Sequence, residues 1–237
     1  MPTVFVNGIH IYYEIHGTGV PLVLIGGLAS DLTYYEGIIR QLLHKYQVIA
    51  FDNRGAGRTD KPDTPYSIEM MADDAAGLLA ALGIKDAHVL GISMGGRIAV
   101  QFTLEHPEQA RSLILVSTVV QRIPMTWSQS MLDVFLHLPV LRTVGRKYPQ
   151  PSYAAMRQRE ATRNYDATNR LSDIKAPTLV LHGKDHRLAP CALAQKMHAR
   201  IQNSKMIVFN GGHHFLFVRQ MQFVAAVDGF LDAQTAD

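Results

Sequence analysis

The stretch Ala87-His88-Val89-Leu90-Gly91-Ile92-Ser93-Met94-Gly95-Gly96-Arg97-Ile98-Ala99-Val100 decides how this chain is read. It runs from an apolar strand through G-x-S-x-G into the apolar start of a helix. Glycines at positions 91 and 95 leave room for a sharp strand-to-helix turn. Such a turn holds a serine in strained backbone geometry and lifts its hydroxyl above the sheet edge. The string alone is weak, because small residues gather in ordinary turns. The strand before it and the helix after it supply the context that makes Ser93 a candidate nucleophile for carbonyl carbon.

Working outward, apolar runs bounded by glycine or polar turns recur along the chain. Thr3 to Val6 and Ile9 to Ile15 flank Asn7-Gly8, the signal of a tight hairpin. Further runs lie at Pro21 to Ile25, Gln47 to Phe51, His88 to Ile92, Ser112 to Val116, Thr178 to Leu181 and Lys205 to Phe209. Short continuous runs of this kind suit strands covered on both faces. Between them, Leu32 to His44, Ile68 to Leu82, Met94 to Glu105, Pro190 to Arg200 and Phe215 to Leu231 carry helical spacing. The pattern predicts an α/β fold with a mostly parallel eight-stranded sheet and helices on both faces. The alternation breaks once, so residues 1–118 and 173–237 are expected to form the core and 119–172 a short helical cap. In that insertion Met125, Trp127, Met131, Phe135 and Leu138 have partly helical spacing and are expected to pack the cap on the body.

Composition bounds the function. At 237 residues and 47% hydrophobic, the chain can bury a large core as one body with an insertion. One cysteine, Cys191, excludes an intramolecular disulfide framework. The N-terminus has no signal-peptide pattern and no run approaches a membrane span, so a soluble, cytoplasmic protein without membrane partner is expected. Residues 119–172 hold eight Lys/Arg against three acids, whereas the remainder carries a net −2. A solvated helical face accounts for this more simply than a patch that draws an anionic substrate. No dense basic block with interleaved aromatics supports nucleic-acid binding.

Four motifs carry a resemblance over nearly the whole length: Gly26-Gly27-Leu28, Asp52-Asn53-Arg54-Gly55-Ala56-Gly57-Arg58, the turn at Ser93, and Gly212-His213. The chain resembles the α/β-hydrolase superfamily. Phe51 to Thr118, with Ser67-Ile68-Glu69-Met70-Met71-Ala72-Asp73-Asp74, is similar to 3-oxoadipate enol-lactonases and related carboxylesterases. The cap is the least similar part. The resemblance implies a cofactor-independent serine hydrolase acting on a small carboxylic ester or lactone.

A serine hydroxyl is a poor nucleophile at neutral pH, so it needs a base in reach and donors for the oxyanion it creates. His213 matches the family's Gly-His pattern as that base, with His214 the alternate. The N–H groups of Leu28 and Met94 are the expected oxyanion donors. The acid is where the chain departs from the resemblance. Relatives place it three residues after the glycine of His182-Gly183-Lys184-Asp185-His186, and that position here is His186. Ser117, at another place where some members carry the acid, is no help.

Three readings stand open: Asp185 orients His213 from one residue earlier, a Ser93/His213 dyad works with His186 as a neutral partner, or the site is catalytically silent. The last connects to a different class, a ligand-binding or signalling protein in a hydrolase pocket. Carbon-carbon bond hydrolysis and acyl transfer use similar machinery. A metal shell of Asp185, His186, His213 and His214 lacks any supporting spacing, so neither metal nor cofactor is expected. The segment after Asp52 lacks dinucleotide-binding spacing and reads as a loop braced by Asp52 and Arg54.

Overall fold

The computed structural model describes residues 2–123 and 147–234. Its strands are β1 (Thr3–Val6), β2 (Ile9–His16), β3 (Val20–Ile25), β4 (Tyr46–Phe51), β5 (Ala87–Ile92), β6 (Ala110–Val116), β7 (Thr178–Gly183) and β8 (Ser204–Phe209). They form one eight-stranded sheet in the order β1-β2-β4-β3-β5-β6-β7-β8. The first two strands form a hairpin and β2 runs antiparallel to β4; every later pairing is parallel. The hairpin turn at Asn7 and Gly8 takes φ of 49° and 77°, the left-handed pair that matches strand twist.

Helices cover both faces: α1 (Glu36–Leu42), α2 (Ile68–Ala81), α3 (Met94–Glu105), α4 (Ser152–Asn164), α5 (Cys191–His198), α6 (Phe215–Val218) and α7 (Gln220–Asp232). Because successive side chains leave a strand on opposite sides, each central strand feeds two cores. Val23, Ile25, Ile49, Phe51 and Val89 pack with α2 and α3, whereas Leu22, Leu24, Val48, Ala50 and Leu90 pack with α1 and α7. This is why those strands read as unbroken apolar runs. The edge strand β8 is the exception, leaving Ile207 and Val208 39% and 45% exposed. The helix expected from Phe215 to Leu231 is broken at Arg219, whose φ of −116° and ψ of 40° separate α6 from α7.

Of the expected cap, α4 and a 3₁₀ turn at Thr168–Asp173 lie among the described residues. The packing expected of Met125, Trp127, Met131, Phe135 and Leu138 falls outside them. Among the described residues, no helix is long and apolar enough to cross a membrane.

The Asp52/Arg54 brace is corrected. Arg54 turns instead to Asp74 on α2, with Nε and Nη2 donating to the two carboxylate oxygens at 2.8 and 2.7 Å in a buried bidentate pair. Asp52 accepts from the N–H groups of Leu32 and Arg58 at 2.7 and 2.8 Å. It therefore ties the segment after β3 to the loop after β4. At Gly57, φ is 51° and a Cβ would lie 2.1 Å from the Asp52 carboxylate, so no side chain fits.

Candidate active site

Ser93 stands between β5 and α3 with φ 57° and ψ −116°, a conformation that costs a non-glycine residue energy and persists only where its surroundings enforce it. The surroundings are close-packed backbone. A Cβ at Gly95 would meet the Ile25 carbonyl oxygen at 2.0 Å, and one at Gly91 would meet the Gly95 carbonyl oxygen at 2.3 Å. Gly27 passes the serine so closely that a Cβ there would lie 3.3 Å from that of Ser93. The two flanking glycines are thus required by approach of chain to chain.

Leu28 and Met94, whose N–H groups are the expected oxyanion donors, line the same cavity as the serine. Met94 is the first residue of α3, so its N–H has no carbonyl one turn back. In the turn after β3, Gly27 N–H donates to the Tyr35 hydroxyl at 2.7 Å and Ala29 N–H to the Gln158 side-chain carbonyl at 2.9 Å. Leu28 N–H, between them, has no partner among the described residues. Ala29 takes φ of 60°, which reverses the chain at this point. Gln158 is fully buried on α4 and also donates from its amide to the Arg54 carbonyl at 2.7 Å. Nothing in the sequence marked this glutamine, because the two backbone groups it holds lie in separate loops, after β3 and after β4.

His213 follows β8. Its backbone carbonyl accepts the Ser117 hydroxyl at 2.8 Å, and Ser117 itself sits at φ 50° at the end of β6. Ser117, dismissed as an acid, instead holds the histidine loop. Ser93, His213, Leu28 and Met94 line one cavity of about 260 Å³. No hydrogen bond joins the side chains of Ser93 and His213 among the described residues, an open arrangement common in catalytic sites without substrate.

The residue on the far side of His213 is His186. Its Nε2 lies 2.7 Å from His213 Nδ1, with the two rings edge to face at 85°. The expectation that Asp185 orients His213 does not match this arrangement. Asp185 is exposed, and its carboxylate accepts the Gly211 N–H at 3.3 Å. The local backbone explains the outcome: His186 N–H bonds back to the Gly183 carbonyl at 3.3 Å while Asp185 N–H bonds to the Gly211 carbonyl at 3.0 Å. In that turn consecutive side chains diverge, and the one directed inward is His186. His214, the alternate base, stacks edge to face on His213 at 4.9 Å.

The histidine cluster lacks counter-charge. Burial, then the neighbouring His186, His214 and His182, push the His213 imidazole down to about 3. Burial, then His182, push His186 down to about 4, against backbone carbonyls that favour its charged form. Burial pushes His182 and His214 down as well, so charge is disfavoured on every ring of the cluster. Among the described residues no group of three or more His, Cys, Asp or Glu could hold a metal ion.

The basic insertion reaches the same cavity. Arg159 and Arg163 of α4 line it together with Arg97 of α3. The Arg97 guanidinium is anchored on the carbonyls of Thr162 and Tyr165 at 2.7 and 3.2 Å.

A family model described as alpha/beta hydrolase fold matches residues 20–142, slightly more than half of the chain. The chain belongs to the α/β-hydrolase family. It is 29% identical to "Putative carbamate hydrolase RutD" of Azorhizobium caulinodans, the match covering 90% of this chain and 91% of that protein. Among solved structures, an esterase from Exiguobacterium antarcticum is 26% identical with a TM-score of 0.85, covering 97% of this chain and 98% of that one. The enol-lactonase from Burkholderia xenovorans LB400 superposes with a TM-score of 0.85 over 98% of this chain and all of that one. At 24% identity the second likeness speaks for the fold alone. The expected resemblance and fold class are borne out, and a hydrolase acting on a small molecule is the function class that follows.

Proposed function

We propose that this α/β-hydrolase cleaves a small carboxylic ester or lactone through an acyl-enzyme. Ser93 Oγ attacks the carbonyl carbon, its proton passes to His213 Nε2, and the carbonyl electron pair moves onto an oxygen held by the N–H groups of Leu28 and Met94. Collapse expels the alcohol, which takes its proton from His213, and water repeats the sequence to release the acid. The observation that carries this reading is the enforced positive φ of Ser93 at the wall of a cavity that His213, Leu28 and Met94 also line. The arginines on the cavity wall, Arg97, Arg159 and Arg163, support a substrate with an acidic group. The reaction needs no cofactor. We assign the protein to the cytoplasm.

Labelling with a fluorophosphonate tests the reading. Modification at Ser93, however slow, that is lost in Ser93→Ala supports it, and a Ser93 left unmodified by prolonged exposure to saturating probe overturns it. A second reading, a pocket that binds a ligand without efficient turnover, is favoured by one observation: the Nδ1 of His213 meets a neutral imidazole where a carboxylate would steady the charged ring.

A further inference from the structure

His186 is held by more than His213. Its Nδ1 lies 3.0 Å from the backbone N of Ala189. A peptide N–H can only donate, so the Nδ1 of a neutral His186 must be the acceptor and its proton must sit on Nε2. That Nε2–H faces His213 Nδ1 at 2.7 Å, which must accept in turn. His213 then carries its own proton on Nε2.

We infer that the hydrogen-bond chain from the Ala189 amide through His186 to His213 locks His213 in the tautomer with the proton on Nε2, so the resting site presents Ser93 with a donor where a general base needs a lone pair. His186 is therefore a positioning residue whose polarity is reversed. The inference rests on the roles given to Ser93 and His213 above.

The lock has a rigid frame. The carbonyl of the same residue, in the next peptide unit, accepts the Nε2–H of His182 at 2.8 Å, so Ala189 is bonded on both sides. The rings of His182 and His186 stack at 5.0 Å and 15°. The opposite tautomer of His186 would set Nδ1–H against Ala189 N–H, donor facing donor. Protonating His186 creates the same clash, and burial, with His182, outweighs the Ser117 and His186 carbonyls that favour its charge. A proton leaving Ser93 consequently finds Nε2 occupied in the resting state, and the transfer to His213 Nε2 given above runs only through the minor tautomer in which that nitrogen is free. Freeing Nε2 requires His213 to carry its proton on Nδ1, where His186 already points a donor. A carboxylate at position 186 would resolve all of this at once, since it can accept both from Ala189 N–H and from His213 Nδ1–H.

The test is ¹⁵N NMR of the imidazole rings in the full chain, with His213 signals assigned by their loss in His213→Gln. In the wild type we expect His213 protonated at Nε2 and unprotonated at Nδ1 near pH 7. In His186→Asp the proton should move to Nδ1, and fluorophosphonate labelling of Ser93 and kcat on a small activated ester should rise about 10²- to 10⁴-fold with KM little changed; a serine protease loses about 10⁴ when its histidine is held in the wrong tautomer. The pH profile should change too. Kcat/KM of the variant rises through the ordinary histidine range as the carboxylate lifts His213, a limb absent from the wild type. Wild-type His213 protonated at Nδ1 overturns the lock and leaves the Ser93 assignment standing. A correctly switched tautomer in His186→Asp with Ser93 still inert overturns the nucleophile reading instead.

Discussion

The side-chain carbonyl of Gln158 accepts the backbone N–H of Ala29 at 2.9 Å, joining the insertion to the turn that aims the Leu28 amide. With its amide nitrogen on the Arg54 carbonyl, this one buried side chain fastens two loops of the sheet edge. Gln158→Ala strands two backbone groups, so it is expected to lower stability by about 2–4 kcal/mol. Because the turn also relaxes, fluorophosphonate labelling of Ser93 should slow about tenfold or more. Denaturant titration and labelling kinetics on the same preparation check both.

Asp185 makes a contrasting case. Its carboxylate is exposed and, among the described residues, meets only the Gly211 N–H, at 3.3 Å. Asp185→Asn is therefore expected to leave Ser93 labelling and ester turnover within about twofold, since removing an exposed, weak contact changes little. A loss of a hundredfold would return the orienting role to Asp185.

The Arg54–Asp74 pair is nearly sealed from solvent, with side chains 6% and 2% exposed. Removing one partner leaves a buried charge, so Asp74→Ala should cost about 3–5 kcal/mol. The double variant Arg54→Met/Asp74→Leu should recover most of that loss, because the penalty belongs to the unpaired guanidinium. Urea unfolding of both variants measures the difference.

Buried neutral histidines set the acid limit of stability. Burial pushes His88, bonded to the Ser112 hydroxyl at 2.8 Å, down to about 4. An unfolded chain binds its proton near 6.5, so between those values the unfolded state holds more protons than the folded one. The stabilisation is complete above about pH 6.5 and is lost as pH falls toward 4, by up to about 1.4 kcal/mol per unit for each such ring. His186 adds to the same window. Unfolding midpoints should change little from pH 7.5 to about 6.5 and fall from there to pH 5, and His88→Gln should flatten that fall.

Gly95→Ala tests the elbow itself. Its Cβ would sit 2.0 Å from the Ile25 carbonyl oxygen, a backbone atom that cannot step aside. We expect a loss of about 3 kcal/mol or more and weaker Ser93 labelling in whatever remains folded. The melting temperature is the direct readout.

Eight strands, their mostly parallel arrangement and the strained serine were all legible in the letters, because a strand covered on both faces is largely apolar and a turn this tight admits only small neighbours. The break at Arg219 was hidden, since the apolar spacing continues straight across it. Arg54 illustrates a different blindness. Its nearest acid in sequence, Asp52, is already engaged by Leu32 and Arg58, so it crosses to Asp74 on another helix.

What the chain determined unaided was therefore the sheet, the strained serine and the histidine near its end, all fixed by local pattern. Which residue stands behind that histidine belonged to the tertiary structure alone. Adjacent side chains such as Asp185 and His186 cannot both point inward, and the choice between them was made by bonds to Gly183 and Gly211, which come from two different strand ends.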